Sequence, residues 1–527
     1  MSSEGIYVIG VDGGTESIRV GLFDVDGNLK ASCHCSYQTF FPQSGWAEQD
    51  PEQWWECLCT ATKTLLHETR IPPERIKALA LDATSCTVVF LDRHMKPLRN
   101  ALLWMDVRAN REAEFIAGSG HSALKYNGHG NVSPEWMPCK ALWIKRHEPD
   151  VFRNAKAICE YLDYMNYRLT GVFVGSINNA SIRWYYDDTE GGFPAGFYET
   201  IDLEDLIPKF PQELLDMGMP IGQLTRSAAG DLGLMEGTMV AQGGADAFVG
   251  MIGLNVIKPG RVALITGSSH LHLGMSQNAL HRKGIFGSYP NSVIRGIHTV
   301  EGGQISTGSI MQWFKRQFLR GYEKEAEDSN ISLYDLIGQR AEKVPLGSDG
   351  IIVLDSFQGN RTPLVDPKLR GAIWGLSLSH RPEHIFRAIM EGVAYGTEFI
   401  FQTFRKANYD VSEIFACGGA TRSRLWMQIH SDVSGLPIQI PEVQDAPLLG
   451  SAILATVASE LYPSIDSAAS RMVRFPTRIY PNTENHEAYR FFLDQYIATY
   501  GQVSELMHRM TDKMASNRTS PGTGRSG

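Results

Sequence analysis

Two short polar turns have residue types that can hold phosphate groups. In segment 12–19 the hydroxyls of Thr15 and Ser17, the backbone N–H groups and the guanidinium of Arg19 could bind phosphate oxygens. Segment 266–269, Thr-Gly-Ser-Ser, is similarly rich in hydroxyls. Two such turns facing each other across a cleft could clamp a polyphosphate from both sides. Each turn taken alone could also be an ordinary hairpin turn.

Two carboxylates could add metal binding and proton transfer to this chemistry. Asp12 ends an apolar run and could hold Mg²⁺ through water. Asp246 stands among small and apolar residues in segment 242–250, where a carboxylate is costly to bury unless it is satisfied or functional. It could be a general base close to phosphate and Mg²⁺. It could equally be the N-cap of a helix that follows a glycine turn.

A third glycine-containing segment has the order that often seats a nucleotide. Segment 416–423, Ala-Cys-Gly-Gly-Ala-Thr-Arg-Ser, follows a predicted strand over 413–417 and precedes a predicted helix. A glycine-rich turn between a strand and a helix brings backbone N–H groups to an anion. The Gly-Gly-Ala triplet by itself is not specific.

The elements that must position these residues begin with a β-β-β-α-β order. Alternating and β-branched residues, with a hairpin signal at Asp26-Gly27, predict the first strands, and Asp50 and Pro51 predict a helix start. The predicted strands are 6–11, 17–24, 29–39 and 76–82. A second strand–turn–strand unit, 261–265 and 270–275, lies about half the chain further on. This suggests an internal duplication with a cleft between two lobes, although two unrelated hairpins would give the same pattern.

Composition narrows the class of protein. The chain has 527 residues, of which 43% are hydrophobic and 20% charged, so it can build more than one core, in roughly two to four domains. The net charge of −9 argues against binding a nucleic-acid backbone as the main task. The eight cysteines form no C-x-x-C pair, which favours free thiols in a reducing cytosol over a zinc site. No signal peptide or membrane-spanning run is found, so a cytoplasmic protein without a membrane partner is expected.

Taken in this order, these segments resemble the FGGY family of carbohydrate kinases, within the actin, hsp70 and hexokinase ATPase superfamily. The most specific match is segment 371–376, Gly-Ala-Ile-Trp-Gly-Leu, followed after seven residues by 384–391, His-Ile-Phe-Arg-Ala-Ile-Met-Glu. The N-terminal pattern at 140–144 keeps the Lys and Trp of the family but has a small Ala141, and Met137 replaces the usual Pro, Ser or Thr. The resemblance extends from Ile6 to about Tyr500.

The resemblance implies an α/β fold of two ribonuclease-H-like lobes with a nucleotide cleft between them. The expected boundaries are an N-terminal lobe at 1–255, a C-terminal lobe at 256–510 and a disordered tail at 511–527. ATP and Mg²⁺ are the implied cofactors, with Asp246 as catalytic base and Asp12 and Asp246 positioning the metal. The implied nucleotide-binding residues are Thr15, Ser17, Arg19, Thr266, Gly267, Ser268, Gly418, Gly419 and Ala420, with Arg422 and Trp426 nearby.

The sugar is expected to bind after the strand that ends at Asp82. Segment 82–87, Asp-Ala-Thr-Ser-Cys-Thr, has neither the Arg-Glu pair of glycerol kinases nor the Gln-Met-His of xylulose kinases, and it is similar to ribulose kinases. By that resemblance the candidate sugar-contacting residues are Asp82, Asp106, Glu301 and Arg183. Carboxylates accept hydrogen bonds from sugar hydroxyls strongly. For Asp106 a helix N-cap, and for Arg183 a surface or interlobe ion pair, are the structural alternatives.

The implied reaction is transfer of the γ-phosphoryl group of ATP to the terminal hydroxyl of a pentulose. D-ribulose, giving ribulose 5-phosphate, is favoured. The alternative substrates are D-xylulose, L-ribulose and polyols such as glycerol or erythritol. The alternative functions are a non-kinase ATPase and a catalytically silent sugar sensor of the same superfamily. The number of Trp, Tyr and Phe residues is compatible with a homodimer.

Overall fold

The computed structural model describes residues 5–129 and 132–519. The chain forms two compact units, each made of separate stretches of sequence. Unit 1 comprises Met1–Arg261, Leu273–Val300 and Pro441–Pro476. Unit 2 comprises Val262–His272, Glu301–Ile440 and Thr477–Gly527.

The strands are short, with two to eight residues each. In chain order they are β1 (Tyr7–Gly13), β2 (Ser17–Asp24), β3 (Leu29–Ser36), β4 (Glu48–Gln49), β5 (Ile76–Ala83), β6 (Val88–Leu91), β7 (Ala101–Leu102), β8 (Ala157–Glu160), β9 (Gly175–Ser176), β10 (Leu214–Leu215), β11 (Pro220–Gln223), β12 (Met239–Ala241), β13 (Arg261–Thr266), β14 (His270–Ser276), β15 (Phe286–Pro290), β16 (His298–Gln304), β17 (Ile352–Leu354), β18 (Ala372–Trp374), β19 (Glu413–Gly418), β20 (Ile438–Ile440) and β21 (Thr477–Ile479).

The α-helices range from single turns to the long C-terminal helix. They are α1 (Pro51–Thr69), α2 (Asn110–Gly118), α3 (Met137–His147), α4 (Pro149–Asn154), α5 (Tyr161–Thr170), α6 (Ile177–Arg183), α7 (Ala195–Thr200), α8 (Arg226–Leu232), α9 (Asp246–Gly253), α10 (Gly308–Phe318), α11 (Glu323–Asp328), α12 (Leu333–Ala341), α13 (Pro382–Lys406), α14 (Arg424–Ser434), α15 (Ala446–Ala458), α16 (Ile465–Met472) and α17 (Thr483–Thr519). Short 3-10 helices cover Pro73–Arg75, Ser122–Asn127, Asp188–Glu190, Ile207–Lys209, Arg320–Tyr322, Ser348–Gly350 and Gly419–Arg422.

Unit 1 is built on a mixed six-stranded sheet in the order β11-β12-β5-β1-β2-β3. Strands β1, β2 and β3 form antiparallel pairs, whereas β1, β5 and β12 run parallel to one another. A four-stranded sheet, β4-β7-β6-β8, and the small pair β10-β9 also lie in this unit. The parallel trio places three carboxyl ends at one edge of the main sheet, which is where α/β proteins usually bind ligands.

Helix α1 shows how the sequence pattern becomes packing in unit 1. Asp50 is its N-cap and accepts a hydrogen bond from the backbone N–H of Glu52, and Pro51 occupies the first helical position, as expected. Its apolar residues recur every three or four positions, and those on the inner face are buried against the main sheet: Trp54, Leu58, Ala61 and Leu65. Burying this stripe is what fixes the helix on the sheet.

Helix α15 belongs to unit 1 although it comes late in the chain. Its sequence, Ala-Pro-Leu-Leu-Gly-Ser-Ala-Ile-Leu-Ala-Thr-Val-Ala, is apolar on nearly every side, and almost all of it is buried. It packs against β1, β5 and α9. A helix that is apolar all round needs neighbours on all sides, which explains its position against the middle of the sheet.

A second main sheet has seven strands in the order β15-β16-β14-β13-β19-β20-β21, and β17 and β18 form a separate antiparallel pair in unit 2. Strands β19 and β20 are parallel, and β20 and β21 are antiparallel. Strand β19 leads into the 3-10 turn Gly419–Arg422 and then helix α14, which is the strand–turn–helix order expected for this segment.

Two features of the fold differ from the sequence-based expectation. The expected lobes, 1–255 and 256–510, are continuous, whereas each compact unit takes up non-consecutive stretches. Helix α17 runs through Thr519, although disorder was expected from residue 511. Its end is held by the Thr511 hydroxyl, which donates to the Lys368 carbonyl, and by an ion pair between Lys368 and Asp512 at 2.8 Å. Residues 520–527 of the expected tail lie outside the described residues.

Within residues 5–129 and 132–519, the structure has no helix whose length and apolar character would let it span a lipid bilayer.

Candidate active site

Three aspartates lie at the carboxyl ends of the three parallel strands of unit 1. Asp12 on β1 is the direct register partner of Asp82 on β5. Next to them, Ala83 forms a parallel bridge with Ala245, and Asp246 follows as the first residue of α9. Because parallel strands end together at one edge, residues far apart in sequence converge there. The structure thus brings together Asp12, Asp82 and Asp246, which the sequence had singled out for different reasons.

Arg19 lies between two acidic residues of this cluster. It faces Asp12 across the antiparallel β1–β2 pair, and its guanidinium forms one ion pair with Asp12 and a second, at 2.8 Å, with Asp445. Asp12 is buried, whereas the Arg19 side chain is 45% exposed and available to an anionic ligand. Asp445, just before α15, was missed by sequence reasoning because no local pattern links it to the first turn.

Burial governs the protonation of Asp12 and Asp82. Burial raises the pKa of Asp12 to about 7, against the opposing effect of Arg19. The pKa of Asp82 is raised well above its ordinary range, first by burial and then by the charge of Asp12. Asp82 Oδ2 accepts a hydrogen bond from the Ser451 hydroxyl at 2.7 Å, and Oδ1 has no hydrogen-bond partner within the described part of the chain. A fully buried Asp82 fits a role beside Asp12 better than direct contact with a sugar.

Asp246 is the most accessible of the three aspartates. Its side chain is half-buried, and Oδ1 accepts a hydrogen bond from the N–H of Ala247 at 2.7 Å. Burial raises the pKa of Asp246, with Arg19 and Arg183 acting in the opposite direction. A carboxylate with a raised pKa is a better proton acceptor than an ordinary one. Asp246 is the first residue of α9 and Ala245 is the N-cap, so the alternative that Asp246 is the helix N-cap is wrong.

The turn before Asp246 requires glycine. A Cβ on Gly243 would lie 1.8 Å from the carbonyl oxygen of Leu81, an approach that no other residue allows. This close contact between the segment after β12 and strand β5 is what brings Asp246 to the carboxylate cluster.

The first polar turn is braced by aromatic residues that the sequence analysis did not single out. Trp104 donates its indole N–H to Thr15 Oγ1 at 2.9 Å. Tyr37 donates its backbone N–H to the carbonyl of Glu16 at 3.2 Å and its hydroxyl to the carbonyl of Gly14. Thr15 and Ser17 remain half-buried, so both hydroxyls can still reach a ligand, and Trp104 holds the Thr15 hydroxyl in place.

Both carboxylate oxygens of Asp106 accept hydrogen bonds from other groups of the protein. Its two oxygens accept from the backbone N–H groups of Ala47 and Arg108 and from the Arg108 guanidinium, which also pairs with Glu48 at 2.7 Å. The Asp106 and Arg108 side chains are both fully buried, and the guanidinium stacks over Trp46 at 3.8 Å. This geometry favours a structural role over the sugar contact expected from the sequence, and it is not the helix N-cap alternative.

Arg183 lies among aromatic residues in unit 1. It ends α6 and donates to the hydroxyl of Tyr289 at 2.9 Å, and its guanidinium lies 5.3 Å from the ring centre of Trp136. Its charge acts on Asp246. Arg183 therefore lies close enough to Asp246 for its charge to lower the pKa of that carboxyl. Glu301 is buried on β16 in unit 2.

The turn after Asp82 is held by two buried charged residues. Lys140 donates to the carbonyls of Cys86, at 2.6 Å, and of Leu103. Glu160 accepts from the backbone N–H of Cys86 at 2.8 Å, and burial raises its pKa to about 7. Cys86 has a φ of 62°, so this turn is tightly shaped. Lys140 was noted only as part of a family pattern, and Glu160 was missed because nothing in its local sequence marks it.

In unit 2, Thr266 joins the second polar turn to the glycine-rich segment. Its hydroxyl donates to the carbonyl of Cys417 at 2.6 Å and accepts from the N–H of Ala420 at 3.1 Å. A Cβ on Gly418, where φ is 89°, would lie 2.0 Å from the Thr266 carbonyl oxygen. Thr266 therefore positions two candidate nucleotide-binding segments, and its own hydroxyl proton is already used.

The exposed residues of these two segments leave room for a ligand. Gly267 and Ser268 are exposed, and their carbonyls are held by the first N–H groups of α10 and by Thr307. A Cβ on Gly419 would meet no atom of the described structure within 4 Å. Arg422 is exposed, whereas Trp426 is buried and donates its indole N–H to the Met390 carbonyl at 3.2 Å. Open backbone at Gly419 suits the approach of a flat or phosphorylated group.

The carboxylates present fit a Mg²⁺ ion. Within the described residues no group of three or more His, Cys, Asp or Glu side chains is arranged to hold a metal by itself. Mg²⁺, however, usually takes one or two protein carboxylates and completes its shell with water and substrate phosphates. Asp12 and Asp246 provide hard oxygen donors, and the charge of Asp246 raises the pKa of Asp12.

Comparisons with known proteins agree with this geometry. The model for the FGGY family of carbohydrate kinases matches residues 7–253 with its N-terminal domain and 262–459 with its C-terminal domain. A ribulokinase of Geobacillus thermodenitrificans is 31% identical, covering 93% of each chain. An FGGY carbohydrate kinase domain-containing protein of Xenopus laevis is also 31% identical, covering 94% of this chain and 95% of its own. The crystal structure of xylulose kinase from Rhodospirillum rubrum has a TM-score of 0.85 at 27% identity, covering 95% of this chain and all of its own.

These findings confirm the expected two-domain α/β fold and the expected enzyme class, a phosphotransferase. That fold carries the two polar turns, the aspartates at the strand ends and the glycine-rich segment. The chain belongs to the FGGY family of carbohydrate kinases.

Proposed function

We propose that this enzyme transfers the γ-phosphoryl group of ATP to the terminal hydroxyl of a pentulose, with D-ribulose as the favoured substrate and ribulose 5-phosphate as the product. The observation that carries the proposal is the convergence of Asp12, Asp82 and Asp246 beside the Thr15–Arg19 turn, in a chain whose relatives include ribulokinases over more than nine-tenths of its length.

Asp246 is the proposed catalytic base. Its Oδ1 is occupied by the N–H of Ala247, so Oδ2 would accept the proton of the sugar hydroxyl as that oxygen attacks the phosphorus. The burial that raises its pKa brings the carboxylate closer to the ideal strength for proton transfer near neutral pH.

The phosphates would be held by groups that are already oriented. Thr15, Ser17 and Arg19 in unit 1 offer hydroxyl and guanidinium donors, and the exposed Ser268 in unit 2 offers a hydroxyl. Gly267 is also exposed and would line the site, but its N–H already donates to the Ser269 carbonyl at 2.9 Å. Mg²⁺ bound with ATP would neutralise charge that develops on the transferred group. Asp12 and Asp246 would hold it, and Gly418, Gly419 and Ala420 would line the adenosine site. Donors fixed before the reaction cost no reorganisation during it.

For sugar recognition, the support is strongest for Arg183 and the turn at residues 83–87. Arg183 acts electrostatically on Asp246, and Lys140 and Glu160 fix the shape of the turn. Glu301 stays a candidate sugar-contacting residue on β16. Asp82 and Asp106 were expected to contact sugar, and their burial instead supports roles in shaping the site.

D-xylulose is the second candidate substrate. The specific observation in its favour is the likeness to the xylulose kinase structure from Rhodospirillum rubrum, at 27% identity. Against it stands segment 83–85, Ala-Thr-Ser, which lacks the Gln-Met-His expected of xylulose kinases.

A substrate panel tests the proposal directly. The purified full chain is given ATP and Mg²⁺ with D-ribulose, L-ribulose, D-xylulose, ribitol, erythritol or glycerol, and ADP release is followed with a coupled assay. We expect the highest kcat/KM with a ribulose, and a preference of about tenfold or more over D-xylulose, because a misdirected hydroxyl leaves a polar group unpaired.

Two results would contradict parts of this proposal separately. A higher kcat/KM for D-xylulose or glycerol than for both ribulose enantiomers would overturn the ribulose assignment and leave the kinase in place. ATP hydrolysis at the same rate with and without every sugar would overturn the proposed pentulose kinase reaction.

A further inference from the structure

Two cysteines of unit 1 bring their sulfur atoms together from different elements. Cys35 lies near the end of strand β3, and Cys57 lies in the second turn of helix α1. Their Sγ atoms are 2.6 Å apart, and both thiols are free. A disulfide bond is about 2.05 Å long, so this pair needs a movement of roughly half an ångström to form one.

The surroundings give the two thiols different roles. Cys35 is half-buried, so a small reagent can reach it, whereas Cys57 is buried and lies with its Sγ 3.4 Å from the carbonyl oxygen of Ser36. Burial raises the pKa of Cys57 to about 12, and contact with Cys35 adds to this effect. Cys57 is therefore protonated in the reduced protein, and Cys35 is the thiol that meets an oxidant first.

The two neighbouring cysteines lack such a partner geometry. Cys33, also on β3, donates to the carboxylate of Glu68 at 3.4 Å, and burial raises its pKa to about 11. Cys59, also on α1, is half-buried, and its pKa is likewise raised to about 11 by burial. They therefore serve as matched controls on the same two elements.

We propose that Cys35 and Cys57 form a reversible disulfide, a modification site that ties β3 to α1 when the protein meets a small disulfide oxidant such as glutathione disulfide.

The proposed chemistry is thiol–disulfide exchange in two balanced steps. The thiolate of Cys35 attacks one sulfur of glutathione disulfide, forming a mixed disulfide and releasing one glutathione thiolate. Cys57, on losing its proton, attacks Cys35 Sγ, forms the intramolecular bond and releases the second glutathione. In sum, two protein thiols lose two electrons and two protons, and one glutathione disulfide gains them to become two glutathione molecules.

The site lies just before the residue that braces the first polar turn. Strand β3 ends at Ser36, and Tyr37 follows with its two hydrogen bonds to the backbone of Gly14 and Glu16. Because the sulfurs move so little, the cross-link should leave this turn in place. It should also restrict the unfolded chain between residues 35 and 57, which stabilises the folded state. The expected result is a more stable protein whose KM for ATP is unchanged.

The test uses the full-length protein and glutathione disulfide as the oxidant. After oxidation, free thiols are alkylated in denaturant, and disulfide-linked peptides are mapped by mass spectrometry under non-reducing conditions. We expect the Cys35–Cys57 link in the wild type and in the matched variants Cys33→Ser and Cys59→Ser, and its absence in Cys35→Ser and Cys57→Ser. The thermal unfolding midpoint should rise by several degrees on oxidation and fall back after dithiothreitol, in wild type and both matched variants only.

Several results would overturn the inference. The disulfide is refuted if Cys35 and Cys57 stay reduced while other thiols are oxidised, or if they link to other cysteines. A Cys35–Cys57 bond without a rise in the midpoint would refute the stabilising role. The mapping is done on wild-type protein, so it remains decisive even if a serine variant does not fold. The outcome of this mapping does not depend on the proposed pentulose reaction.

Discussion

Asp246 differs from its neighbours in the carboxylate cluster because a ligand can reach it. Asp12 and Asp82 are buried at the strand ends, whereas Asp246 is half-buried at the start of α9. All three side chains are carboxylates, but they differ in burial, and burial decides which of them a substrate can touch. We expect the reacting proton to pass to Asp246, and Asp12 and Asp82 to set the field around it.

The variant Asp246→Asn keeps the shape of the side chain and removes its ability to accept a proton. We expect kcat to fall by about two to four orders of magnitude, because general base catalysis contributes that much. Steady-state kinetics with ribulose and ATP measures the change, and ribulose affinity should change far less. Asp231→Asn on the exposed surface of α8 is the matched control and should behave as wild type. Near-normal turnover of Asp246→Asn would refute the assignment.

Asp445 is predicted to act through Arg19. Asp445→Asn removes one of the two carboxylates that hold the guanidinium, while Asp12 stays in place. A partly exposed ion pair contributes about 0.4–1 kcal/mol, so KM for ATP should rise about two- to fivefold with a smaller change in kcat.

The control for Asp445 is another ion-paired aspartate of unit 1. Asp466→Asn on α16 breaks an exposed pair with Lys258 and should leave KM for ATP unchanged. An equal rise in KM in both variants would show a general effect of charge and would contradict the positioning role of Asp445.

At the scale of elements, local sequence patterns predicted the strand β2 and the start of helix α1. Strand β2 covers the predicted residues 17–24, and α1 begins at Pro51 with Asp50 as its cap, as predicted. Strand β3 ends at Ser36, before the predicted end at residue 39, because Tyr37 turns to bond the first polar turn. The alternation of apolar and polar side chains indicates which segments are extended. A hydrogen bond to a distant turn, however, decides where the strand ends.

The candidate site was only partly predictable for a related reason. Asp12, Arg19 and Asp246 stand in glycine-rich or polar segments with a local signal, and the structure brings them together. Asp445 and Ser451 come from a late segment and touch the site only through tertiary packing. Contacts that depend on how distant segments pack against the sheet leave no recognisable pattern in any single stretch of sequence.

The link between β13 and the segment after β19 gives a prediction for Thr266. Thr266→Val removes the hydroxyl that joins the carbonyl of Cys417 to the N–H of Ala420, so the buried Ala420 N–H loses its acceptor. Leaving a buried polar group unsatisfied costs about 1–3 kcal/mol, so we expect KM for ATP to rise about tenfold or more and the thermal midpoint to fall.

Thr266→Ser is the conservative partner of this variant. It keeps the hydroxyl and loses only a methyl group, so ATP kinetics close to wild type are expected. If the serine variant were as impaired as the valine variant, the two hydrogen bonds would not be the cause.

For the whole molecule, buried neutral histidines predict sensitivity to acid. His270, His272 and His430 are buried in unit 2, with ring centres 5.7 Å apart for His270–His430 and 6.5 Å for His270–His272. Burial lowers the pKa of His272 and of His430 to about 3, and that of His270 well below its ordinary value. Below about pH 6.5 these histidines bind protons in the unfolded chain that they do not bind in the folded chain, so their contribution lowers stability as pH falls.

Thermal unfolding between pH 8 and pH 4.5 checks this expectation. Each histidine should cost on the order of 2 kcal/mol of stability at pH 5. This decline is opposed by the buried carboxyls of Asp12 and Glu160, whose raised pKa values of about 7 favour the folded state as pH falls, so the comparison between variants isolates the histidines. His430→Phe should reduce the decline, whereas His94→Asn on the surface should leave it unchanged. A decline of the same size in His430→Phe would rule out the buried ring as a source.

The late position of α15 in the chain has a consequence for how the molecule is made. Ser451 on this helix bonds Asp82, which lies 369 residues earlier, and the helix fills the space against β1 and α9. During synthesis from the N-terminus, the strands that hold the aspartates leave the ribosome long before the helix that covers them. The apolar face of the sheet that α15 covers therefore stays exposed until this helix has been synthesised. Exposed apolar surface favours association with chaperones or with other nascent chains. Asp445 and Ser451 can therefore join Arg19 and Asp82 only when most of the chain has been made.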